Sequence, residues 1–103
     1  MENMKFSKVH IVREIFGGES YEYYPLGNYI VASPGICGGR PTFKYTRLEV
    51  SVILSLLAAG ETIDEVVKEY ANSSLSPEAV QEAIHLAGQA LVWSAETIMP
   101  AQV

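Results

Sequence analysis

A glycine pair and three basic side chains share one short stretch: Gly38-Gly39-Arg40, then Lys44 and Arg47. Guanidinium and ammonium groups pair with phosphate oxygens, and glycines let backbone amides approach an anion closely. Gly38-Gly39 has neither the helix start nor the lysine of a nucleotide-binding loop, so it is a weak anion nest. The phosphates these bases would meet are those of double-stranded DNA, with Arg40, Lys44 and Arg47 contributed by two protomers. The alternative for the same bases is pairing with the chain's own acids, or a solvated loop. A second set is acidic: Glu65 and Glu69 beside Glu61 and Asp64, then Glu78 and Glu82. Carboxylates on one side of a helical unit suit a basic protein surface. They would hold a cation only weakly. His10 and His85 are the only histidines, and neither has metal-ligand spacing with another histidine or with Cys37. Cys37 has no cysteine to pair with and reads as a small apolar residue. No nucleophile, base or metal set is apparent. We expect no enzyme activity and no cofactor.

Three helices must position these groups. Thr46-Arg47-Leu48-Glu49 has capping-box spacing ahead of Val50–Ala59, which is apolar nearly all round and belongs in the middle of a domain. Gly60 stops it. Thr62-Ile63-Asp64-Glu65 is a second capping box, and Ile63, Val66, Val67 and Tyr70 form one buried stripe behind it. Ser76-Pro77-Glu78 opens a third helix with an N-cap, a proline at the first helical position and an acid at the positive end. Val80, Ile84, Ala87, Leu91 and Ile98 continue its stripe. Gly88 costs about 1 kcal/mol relative to alanine, so the helix either runs to about Thr97 or breaks there. Trp93 reads as a core or interface anchor. Three such helices on short turns predict a helix-turn-helix unit. Its third helix would present Gln81 and His85 to a major groove, where glutamine reads adenine. That helix carries no lysine or arginine, which weighs against the DNA reading.

Ahead of the helices, β-branched and aromatic residues predict three strands, at Lys8–Phe16, Ser20–Tyr24 and Asn28–Ala32. Gly17-Gly18 marks a tight hairpin turn, and Tyr24-Pro25-Leu26-Gly27 fits a type I turn. Tyr21 and Tyr23 have two readings, as cross-strand core packing or as an aromatic contact for a partner protein. The fold class is therefore α+β: a small N-terminal antiparallel meander over residues 1–33, then a three-helix core over 34–103, in one domain. With 49% hydrophobic and 18% charged residues, such a chain is expected to bury surface by forming a homodimer. Residues 1–48 carry six bases against four acids, and residues 49–103 one base against eight acids, so the net charge of −5 is made of +2 in the first half and −7 in the helical half. The apolar run Val50–Ala59 is half of the roughly 20 residues of a membrane span. With no secretory leader in the first residues and one cysteine, a cytoplasmic protein is expected.

The stretch Gly39-Arg40-Pro41-Thr42-Phe43-Lys44-Tyr45-Thr46-Arg47-Leu48-Glu49-Val50, followed by Ile53-Leu54, Ala59-Gly60-Glu61-Thr62 and Glu65-Val66, resembles the bacterial family called domain of unknown function 433. Leu75-Ser76-Pro77-Glu78-Ala79-Val80 with Ala83-Ile84 extends the likeness to roughly residues 34–87. The chain departs from that pattern at Tyr45, where glycine is usual, and in a longer turn at 70–75. The resemblance implies a tri-helical, homeodomain-like fold. It also implies an antitoxin or small regulator, often encoded beside a nuclease-like toxin. Gly39, Arg40, Pro41, Thr46, Arg47 and Gly60 are its motif positions, none of them implied to be catalytic. The expectation is a non-enzymatic, antitoxin-like protein-binding module that neutralises a nuclease-like toxin. The alternative is a DNA-binding autoregulator.

Overall fold

A computed structural model describes residues 10–99. Four antiparallel strands run in sequence order, β1 (Val12–Phe16), β2 (Glu19–Pro25), β3 (Ile30–Ala32) and β4 (Thr42–Phe43). Three helices follow, α1 (Val50–Ala58), α2 (Ile63–Glu69) and α3 (Pro77–Ile98). The α+β class, with a small sheet first and the helices last, is as the sequence predicts. Among the described residues no helix is long and apolar enough to cross a membrane.

The β1–β2 hairpin pairs Val12 with Tyr23 and Phe16 with Glu19. Gly17 and Gly18 both have positive φ, the pairing that a two-residue hairpin turn requires. The expected first strand begins at Lys8; residues 8 and 9 lie outside the described residues. The turn expected at Tyr24–Gly27 is displaced. Pro25 stays in the ladder opposite Val31 at the strand's end, a place where a residue without an N–H is tolerated. The chain reverses at Leu26–Tyr29 instead, with the Leu26 and Gly27 amides donating to the Ile30 carbonyl. Thr42-Phe43, at the end of a stretch that reads from sequence as a loop or a short extended segment, forms β4 against β3.

β3 is covered on both sides. Ile30 joins a core with Phe43, Val50, Ile53, Val66 and Val80, while its neighbour Val31 packs with Tyr21 and Tyr23. Successive strand residues point to opposite faces, so one short strand links the helical core to the hairpin. Tyr21 is 7% and Tyr23 3% exposed, so both take the core-packing alternative and neither ring is offered to a partner.

Helix starts divide between expectation and correction. The Thr62–Glu65 capping box is present with both hydrogen bonds, and the Ser76 hydroxyl accepts from the Ala79 amide with Pro77 at the first turn. The Thr46–Glu49 box does not form. The Thr46 hydroxyl donates to the Phe43 carbonyl at 2.7 Å and accepts from the Leu48 amide at 3.0 Å, closing a turn after β4. Helix α1 then starts at Val50, after Glu49. It is not enclosed, because the core reaches only one side: Val50 and Ile53 are buried, whereas Val52 is exposed. α3 is continuous through Gly88. Its 22 residues span about 33 Å at 1.5 Å per residue, whereas α1 and α2 have 9 and 7 residues. α3 therefore outruns its neighbours. Ala79, Val80 and Ala83 are buried, but the expected stripe emerges beyond them: Ile84 is 45%, Leu91 72% and Ile98 79% exposed. Trp93, half-exposed, is not in the core.

Candidate partner-binding surfaces

The basic loop begins with three consecutive left-handed residues, Cys37, Gly38 and Gly39. The Gly39 amide donates to the Ile36 carbonyl and the Arg40 amide to the Cys37 carbonyl, so both amides are engaged within the turn rather than converging on an anion. Cys37 is half-buried, with its thiol against the Arg47 carbonyl at 3.5 Å. Arg40 grips Glu49 through two bonds, Nε to Oε1 at 2.9 Å and Nη2 to Oε2 at 3.0 Å. That fork raises the Arg40 pKa and holds the Glu49 carboxyl below its usual value. The Lys44 ammonium sits 5.1 Å from the ring centroids of both Tyr23 and Tyr45. Its pKa is raised, first by hydrogen bonding with Tyr23. Arg47 is exposed, and among the described residues no carboxylate pairs with it. Of the three predicted phosphate ligands, then, one is uncommitted.

Tyr45 closes this loop in the left-handed region, at φ +69°. Its amide donates to the Tyr21 hydroxyl at 2.9 Å and its ring stacks on Phe16 at 4.6 Å. Its hydroxyl donates to Glu14 at 2.8 Å. Glu14 also accepts from the Tyr23 hydroxyl. That bond, more than the one from Tyr45, holds the Glu14 carboxyl below its ordinary value and raises the Tyr23 pKa.

On the helices, Gln81 and His85 are exposed one turn apart, as a groove-reading pair would need to be. Glu78 is exposed in the first turn of α3, at the end where an acid favours the helix dipole. Glu82 is different. Its two carboxylate oxygens accept from the Asn28 amide at 2.8 Å and the Tyr29 amide at 2.7 Å. It clamps the β2–β3 loop to α3. A Cβ added to Gly27 would lie 2.6 Å from its carboxylate. Glu65 is held in its capping box. Asp64 and Glu69 are exposed beside it and, with Lys68, line a shallow hollow of about 250 Å³. Glu61 has a raised pKa, from lost hydration first and then from the negative charge of Glu69 and Glu65. Glu61 therefore feels the charge of Glu69 and Glu65, with Lys68 beside those two in the hollow.

Sequence reasoning overlooked two features. The Glu82 clamp joins residues 54 apart, and no local pattern announces it. The second is a groove of about 1160 Å³ beneath the overhanging half of α3, walled by Ala87, Ala90 and Trp93 and floored by Pro41, Val50 and Leu54. The only advance signal was an apolar stripe longer than the core beside it. Among the described residues, no group of three or more histidine, cysteine, aspartate or glutamate side chains is placed to hold a metal ion.

A family model described as "Protein of unknown function (DUF433)" matches residues 30–87. No curated protein and no solved structure matches the chain. The matched span opens at β3 and ends inside α3, taking in the basic loop and the packed parts of all three helices. It leaves out the β1–β2 hairpin and the overhang of α3.

Proposed function

This chain belongs to the domain of unknown function 433 family, and we propose that it is a non-enzymatic, antitoxin-like protein-binding module of the cytoplasm. Its acidic helical half would receive a basic protein, in keeping with a nuclease-like toxin encoded beside it. The observation that carries this reading is the distribution of ion pairs. The ion pairs among the described residues, Arg13–Glu22 and Arg40–Glu49, engage no residue of α2 or α3. The carboxylates there keep an unneutralised field, which steers a cationic surface and repels a polyanion.

The competing reading is a helix-turn-helix regulator with α3 in the major groove. It is supported by the exposure of Gln81 and His85. Against it, Glu78 guards the same end of α3, and Arg40 and Lys44 already have partners within the chain. Two protomers would offer about two uncommitted arginines, and a log–log salt slope of only about −2.

The test uses the full chain as bait in its native cytosol, with mass spectrometry of what it retains. The companion bait neutralises Asp64→Asn, Glu69→Gln and Glu78→Gln together, leaving the capping Glu65 and the clamping Glu82 intact. A stoichiometric basic protein held by the first bait and at least tenfold depleted on the second is the expected result. Capture indifferent to the three substitutions, or DNA retained with a steep salt dependence, would overturn the reading.

A further inference from the structure

The overhang of α3 carries apolar residues both inside and outside the groove. Ala87, Ala90, Val92 and Trp93 line the groove beneath it, while Leu91 and Ile98, outside its lining, are 72% and 79% exposed. Gln81, His85, Gln89 and Glu96 share its polar face, and the opposite stripe through Ile84, Leu91 and Ile98 runs past the core that covers its first turns, leaving an apolar face with no cover from the described residues of its own chain. From Ala83 to Ile98 the helix carries one charge, Glu96, in a chain of net charge −5. It is the stretch along which two acidic molecules approach with least repulsion. The groove and the segment that would fill it also lie on the same chain, which is the requirement for a two-fold, self-complementary contact.

We propose that a second copy of this chain occupies the groove. The two overhangs pack antiparallel about a two-fold axis at Leu91, and each closes the other's groove. Ile84, Leu91 and Ile98 lie seven residues apart, the spacing of a helix–helix seam. Leu91 is the midpoint, so antiparallel overlap sets Leu91 against Leu91 and Ile84 against Ile98 of the second copy. The exposed apolar parts of Ile84, Leu91, Val92, Trp93 and Ile98 from both copies, with the groove floor, are what the pairing would bury. A small molecule is a poorer occupant, since the groove exceeds the roughly 300–1,000 Å³ of such pockets. The pairing does not depend on the acidic face of α2 and stands or falls separately from it.

The test is light-scattering mass on the full chain across a micromolar concentration range. The wild type is expected at twice the 11.3 kDa of one chain. Leu91→Glu changes a side chain that is 72% exposed and so outside the monomer's core. It should weaken association at least a hundredfold with an unchanged circular dichroism spectrum. Ser51→Arg, at an exposed residue on the groove floor, should weaken it at least tenfold. A wild type that stays monomeric throughout, or a Leu91→Glu variant that stays dimeric, would overturn the pairing. A Ser51→Arg variant of wild-type affinity would overturn the use of the groove.

Discussion

Tyr45 holds a backbone conformation that favours glycine, at φ +69°, and left-handed geometry costs a residue with a side chain about 1–2 kcal/mol. The side chain returns that cost. Its ring stacks on Phe16 and tilts against Tyr21, its hydroxyl reaches Glu14, and Lys44 lies over its face. An aromatic pair contributes about 0.5–1.5 kcal/mol beyond the area it buries. Where the family resemblance implies glycine, this chain thus has a residue that fastens the β1–β2 hairpin, and that hairpin lies outside the matched residues 30–87. Strain and contacts are of similar size, so Tyr45→Gly should change global stability by no more than about 1 kcal/mol. The local effect should be larger: amide exchange across Val12–Phe16 and Glu19–Pro25 quickens while α1–α3 keep their protection. Hydrogen exchange read by mass spectrometry separates the two. Equal quickening in hairpin and helices would show that Tyr45 serves the whole fold instead.

Among the elements, those legible in the sequence are the ones whose hydrogen bonds close within a few residues. The Thr62–Glu65 box and the Ser76 cap have both partners within three positions, and nothing distant competes for them. Thr46–Glu49 has the same spacing and fails because each end is claimed from elsewhere: Phe43 and Leu48 hold the threonine, Arg40 the glutamate. β4 was legible only as a loop or a short extended segment for a related reason, since two residues become a strand through β3 and not through a pattern of their own. Glu82 is the clearest case of a role set by tertiary placement. It reads as surface acid and acts as a clamp on the loop at Asn28 and Tyr29. Charge-assisted bonds to backbone amides are worth about 1.5–3 kcal/mol each at most, less where water reaches them. Glu82→Gln keeps one acceptor oxygen of two and should destabilise by about 1 kcal/mol, whereas Glu82→Ala should cost about 2 kcal/mol. Gly27→Ala places a methyl group against the carboxylate and should match Glu82→Ala, with little added loss in the double variant. Urea unfolding of the four proteins checks this. Full additivity would mean that Gly27 and Glu82 act independently.

At the scale of the molecule, shape and charge point the same way. A compact chain of about 100 residues has a radius of gyration near 13 Å; this one has 15.5 Å and a longest extent of 50 Å. α3 leaves its core behind, and Leu91, Val92 and Ile98 along the departing half are among the most exposed apolar side chains, with Ile15 of the hairpin. An apolar seam of that length is stable in water only when covered, and covering it with a second copy ties folding to concentration. Each tenfold rise in concentration then adds about 1.4 kcal/mol to the stability of the dimer. For a unit of two such chains that is worth roughly 3–5 °C in Tm. Scanning calorimetry over two decades of concentration should show this drift for the wild type. Leu91→Glu should unfold lower and at a Tm independent of concentration. A flat wild-type Tm would mean that the overhang is stable uncovered, and the acidic face of α2 and α3 would then be the surface on which a protein partner has to be sought.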